Sequence, residues 1–69
     1  MNVGERIREL RIKKGLTQQE LAKKAGCSQS ALSKIESEGR SPRFEIAISI
    51  AGILGVSAEY LRKGDNLDT

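Results

Sequence analysis

Gln29, Ser30, Ser33 and Lys34 place amide, hydroxyl and ammonium donors within one short stretch, and no carboxylate interrupts them until Glu36. Glu and Lys would dominate an ordinary solvated helix face. Here the side chains are short, uncharged or basic, and all of them can donate to base edges or phosphates without repelling a polyanion. A glutamine can make a bidentate contact to adenine, so Gln29 is a candidate base reader. Lys34 can reach guanine acceptors or a phosphate. Ser30 and Ser33 can donate to either and leave room for close approach.

Other chemistries find little support. The 69 residues contain no histidine and one cysteine, Cys27. The commonest general base and the commonest metal ligand are therefore missing, and the usual zinc sites cannot be assembled. There is no glycine-rich phosphate loop of the Walker type. A domain this small buries only roughly 60% of its unfolded surface, which leaves little room for an enclosed catalytic cavity. We expect no enzyme activity, no metal, no cofactor and no small-molecule substrate. Cys27 should pack as a small hydrophobe, since a redox role would need an exposed thiol of low pKa.

The elements that must position these donors can be read from capping residues and apolar spacing. Asn2 and Glu5 form a capping box that opens a first helix, with Val3, Ile7 and Leu10 on one stripe and Gly15 as its stop. Thr17 and Glu20 form a second box. Leu21, Ala22 and Ala25 line that helix, and Gly26 ends it. Ser28 is a good N-cap for a third helix whose buried side carries Leu32 and Ile35. Residues 37–42 read as a loop. Ser41 as N-cap and Pro42 at the first helical position should open a fourth helix running to Gly55. Ser57 opens a last short helix that stops at Gly64. Residues 1–64 then make one domain, and 65–69 a short flexible tail. The second and third helices meet across a turn of three or four residues containing Gly26. That turn is too tight for antiparallel stacking and predicts the steep crossing of a helix-turn-helix.

Leu16-Thr17-Gln18-Gln19-Glu20-Leu21-Ala22, followed by Gly26-Cys27-Ser28-Gln29-Ser30-Ala31-Leu32-Ser33-Lys34-Ile35-Glu36, resembles the lambda-repressor/Cro-type helix-turn-helix family. The match extends through Ser41-Pro42 and Leu54-Gly55-Val56-Ser57 to Leu61. The resemblance implies an all-α, five-helix DNA-binding domain whose third helix reads the major groove through Gln29, Ser30 and Lys34, with Ser33 close by. It implies phosphate contacts at Thr17 and Gln18, where the second helix begins, and at Arg40, Arg43 and the Phe44 amide. It also implies a partly buried salt bridge between Arg11 and Glu36. Cys27 departs from the family pattern, in which an aliphatic residue is commoner.

The charge pattern agrees with a polyanionic partner. Net charge is +3, and ten basic residues face four acids between Arg6 and Arg43. Such a polarised distribution suits double-stranded DNA as a partner, although an ordinary charged surface would look similar. No apolar run reaches the ~18 residues of a membrane span. The first residues lack a signal-peptide pattern, and a single cysteine suits a reducing compartment, so a cytoplasmic location is expected. In the fourth helix, Ile46, Ile50 and Ile53 add a second apolar line. It either buries a central helix on several sides or, with Tyr60 and Leu61, forms the contact of a homodimer on a palindromic operator. The function implied is a transcriptional regulator acting as a repressor. The alternative is a protein-interaction or antitoxin-like module on the same fold, favoured by that apolar line.

Overall fold

The computed structural model describes residues 2–63, so Gly64 and the 65–69 tail lie outside the described residues. Five helices follow in order: α1 (Val3–Lys13), α2 (Gln18–Ala25), α3 (Gln29–Glu38), α4 (Phe44–Leu54) and α5 (Ala58–Lys63). Each contributes one aliphatic side chain to the centre. Ile7, Leu21, Leu32, Ile50 and Leu61 are fully buried, each worth about 1.5–3 kcal/mol over exposure.

The helix starts follow the caps. Asn2 Oδ1 accepts from the Glu5 N–H at 2.9 Å while Glu5 reaches back to the Asn2 N–H at 3.0 Å. Thr17 and Glu20 make the same reciprocal pair. The Glu20 carboxyl is held below its ordinary range by the backbone and then the side-chain hydrogen bond of Thr17. Ser28 Oγ accepts from the Ala31 N–H at 3.0 Å and Ser57 Oγ from the Tyr60 N–H at 3.0 Å.

Two boundaries differ from expectation. α3 continues to Glu38 and is closed by Gly39, so part of the stretch predicted as a 37–42 loop is helical. α4 begins at Phe44 with Arg43 as N-cap and no side-chain cap, rather than at Pro42 behind Ser41. Arg43 is itself extended (φ −58°, ψ 153°), so the helix starts after it. The first N–H groups of α4 consequently have no side-chain acceptor.

Two close approaches set the packing. A β-carbon at Gly4 would press on the Ile35 carbonyl oxygen and stand 3.0 Å from Glu36 Cα, so α1 and α3 touch backbone to backbone there. Two residues further along α1, buried Arg6 donates from Nε to the Leu61 carbonyl at 2.9 Å and from Nη2 to the Arg62 carbonyl at 3.1 Å. Arg6 thus ties α1 to the end of α5 and does not belong to an outer basic face. Its position, three residues after Val3 and four before Leu10 on the apolar stripe, is the sequence signal for that role.

Gly52 contrasts with Gly4. It sits exposed within α4, and a β-carbon there would meet nothing within 4 Å. Gly52→Ala should stabilise the fold by up to ~1 kcal/mol through helix propensity, raising the melting temperature by about 4–8 °C. An unchanged or lower melting temperature would show that the backbone needs glycine at this point.

Candidate nucleic-acid interface

The α2–α3 joint is built from its turn. Gly26 adopts the left-handed conformation (φ +81°), where L side chains are strained. The Gly26 and Cys27 N–H groups both donate to the Ala22 carbonyl, at 2.9 and 3.0 Å, which closes α2 as the chain reverses. Leu21, Ala22 and Ala25 from α2 and Leu32 and Ile35 from α3 are buried in the core.

What remains outside is the polar face of α3. Gln29, Ser30 and Lys34 are exposed and Ser33 is half-buried. Exposed Ala31 was not singled out from the sequence. Its methyl lies in the first turn of α3, where a small apolar group can meet a thymine methyl. An open groove of about 530 Å³ runs between the helix-turn-helix joint, α3 and the 40–43 segment. Ser30, Ala31, Lys34, Arg40 and Arg43 line it, and no carboxylate does so among the described residues. Residues that are up to thirteen positions apart are thereby gathered into one cationic channel. Arg40 also approaches Glu38 at 3.7 Å, but both side chains are more than half exposed, and such a pair is worth little in water.

Beneath this face lies a buried ionic cluster. Glu36 Oε2 accepts from Arg11 Nε at 2.8 Å. Its Oε1 accepts from Arg11 Nη2 at 3.0 Å and from Gln18 Nε2 at 3.1 Å. Arg11 Nη1 donates to the Leu16 carbonyl at 2.8 Å. The Arg11–Glu36 pair is therefore present as expected, while Gln18 is turned inward to join it. Thr17 is engaged in its capping box, and the Phe44 ring is 73% exposed at the start of α4.

The expected dimer residues divide. Ile50 and Leu61 have no exposed surface and belong to the core, so they cannot meet a second copy. Ile46 and Ile53 are partly buried against that core. Tyr60 is exposed, as are Phe44 and Ile48. The central helix packs on several neighbours, and of its large apolar side chains Phe44 and Ile48, spaced four residues apart, are the exposed ones. Cys27 is half-buried, and desolvation pushes its thiol above the ordinary range, the opposite of what a reactive thiolate needs. No group of three or more potential metal ligands occurs among the described residues. No helix there is long and apolar enough to cross a membrane.

The family model described as "Helix-turn-helix" matches residues 7–61. The chain belongs to this family. It is 39% identical over 62 residues to the HTH-type transcriptional regulator YqaE of Bacillus subtilis, covering 90% of this chain and 53% of that protein. It is 41% identical over 61 residues to the immunity repressor protein of Bacillus phage phi105, covering 88% of this chain and 42% of that one. The fold superposes on the P22 c2 repressor, solved in complex with a synthetic operator, with a TM-score of 0.89 and 37% identity over 94% of this chain and 98% of that one. The five-helix, lambda-repressor-like architecture is thus the family's own. The chain spans about half the length of the curated relatives it matches.

Proposed function

We propose that this chain is a sequence-specific, double-stranded DNA-binding transcriptional regulator, acting as a repressor, that reads a near-palindromic operator as a homodimer. The observation that carries this reading is the cationic groove, where Lys34, Arg40 and Arg43 flank the polar face of α3 without a carboxylate. α3 lies in the major groove, with Gln29, Ser30, Ser33 and Lys34 at base edges. Gln18 at the start of α2, Arg40, Arg43 and the uncapped Phe44 N–H hold phosphates, because an uncapped helix start favours anions. Thr17 fixes the α2 start from which Gln18 projects. One module reads few base pairs. A second copy, meeting the first through Phe44, Ile48 and Tyr60, doubles the contacts with half-sites about 34 Å apart. The protein occludes promoter DNA in the cytoplasm, and neither catalysis nor a cofactor is required.

Selection of bound duplexes from a random pool at ~150 mM salt tests this, since weak non-specific binding is suppressed there. An enriched inverted repeat of fixed spacing supports both specific reading and the dimer. No enrichment would sink the proposal and favour a protein-interaction module, for which exposed Phe44 and Ile48 are the supporting observation. On the selected duplex, Gln29→Ala should weaken binding by ~1–3 kcal/mol and relax one base position. An unchanged sequence preference in the variant would remove Gln29 from the reading set.

A further inference from the structure

The Gln18–Glu36 hydrogen bond crosses from the start of α2 to the reading helix itself. Glu36 is a residue of α3, seven positions and about two turns after Gln29, and it is buried where Gln29 is exposed. Its side chain is 3% exposed, and both carboxylate oxygens are fixed by Arg11. The same Oε1 also accepts from Gln18 Nε2. The direction of that bond is unambiguous, because an ionised carboxylate pinned by a guanidinium can only accept.

We propose that Glu36 is a positioning residue for DNA binding, holding the Gln18 amide at the start of α2 in fixed register with the base-reading face of α3. This rests on the reading of Gln18 as a phosphate contact. Gln18 Nε2 carries two protons. One is given to Glu36, and the other remains for a phosphate. The Thr17 box takes up the Glu20 N–H, which leaves the Gln18 and Gln19 N–H groups of the same helix start for that phosphate. A glutamine free in solution would have to be ordered on binding, whereas this one is ordered beforehand. Backbone contacts set where a reading helix sits on the duplex. Tying the clamp to α3 through one buried carboxylate fixes the offset between the phosphate it holds and the bases Gln29 and Ser30 meet.

The test is a double-mutant cycle on affinity for the duplex recovered by selection, with folding checked by circular dichroism at low temperature. Glu36→Gln should weaken binding about two- to tenfold in the otherwise native protein and have no further effect in the Gln18→Ala background. Where Glu36→Gln does not fold, Glu36→Asp keeps a charge beside Arg11 but withdraws the oxygen from Gln18, and it is measured in the same cycle. Equal weakening in both backgrounds would mean that Glu36 acts only through the fold and would overturn the proposal. So would native affinity in a folded Glu36 variant, with the phosphate reading left standing. Native affinity in Gln18→Ala alone would overturn that reading and the proposal together.

Discussion

Arg11→Ala should cost about 3–5 kcal/mol of folding stability, because it leaves the Glu36 carboxylate buried without its cationic partner. The side chains of the pair are 12% and 3% exposed, so water cannot replace the lost guanidinium without opening the α1–α3 contact. The Leu16 carbonyl loses its donor in the same step. Domains hold only about 0.05–0.15 kcal/mol per residue of net stability, so this loss approaches the whole for so short a chain. A drop in melting temperature of roughly 12–40 °C is expected at about 4–8 °C per kcal/mol. A drop of less than about 5 °C would show that the carboxylate finds solvent or another donor. The cost belongs to the orphaned charge, not to the pair. Arg11→Met combined with Glu36→Leu should therefore recover much of the stability, since apolar replacement of a buried pair is often neutral.

Gly4→Ala carries the second large effect, and its sign comes from a competition. Alanine gains at most about 1 kcal/mol over glycine from helix propensity, a helix-interior figure that is an upper bound for Gly4 in the first turn of α1. Against this, the new methyl would press on the Ile35 carbonyl oxygen with Glu36 Cα 3.0 Å away, and both neighbours are backbone atoms that no rotamer change can move. Overpacking of that kind costs about 1–3 kcal/mol, occasionally more. α1 would have to shift away from α3 and carry Arg11 from Glu36. A net loss of at least ~1 kcal/mol is expected in chemical denaturation. The comparison variant is Gly52→Ala, which makes the same substitution in open space and should move stability the other way. If both alanines stabilise, the close approach of α1 to α3 is softer than the structure shows.

The two predictions act on one seam. α1 crosses α3 at Gly4 and is bolted to it at Arg11, so the reading helix is held from behind at both ends of its partner. The outer face of α3 is consequently free of structural duties, apart from the Ser37 Oγ bond to the Ser33 carbonyl at 2.8 Å. The side chains proposed to read bases can therefore vary without weakening the scaffold that presents them.

Much of this was legible along the chain, because it depends on neighbours three or four residues apart. The capping boxes at Asn2 and Thr17, the Ser28 and Ser57 caps and the glycine turn at Gly26 are local events, and all form as their spacing predicts. The polar face of α3 follows from the burial of Leu32 and Ile35, which helical period alone assigns. The Arg11–Glu36 pair, 25 residues apart, was reached only through family resemblance. Tertiary structure alone decided how the apolar surface of α4 is shared. Period marks Ile46, Ile50 and Ile53 as one line, but with α2 and α5 packed against α4, Ile50 is fully buried while Phe44 and Ile48 stay outside. Arg6 illustrates the same limit, since its place on the apolar stripe marks it as facing inward, while the α5 carbonyls that receive it are supplied only by the fold. Local hydrogen bonding and periodicity set which helices form. Which face each helix keeps from solvent depends on partners distant in sequence, and that burial determines which charged and apolar groups are left to meet another molecule.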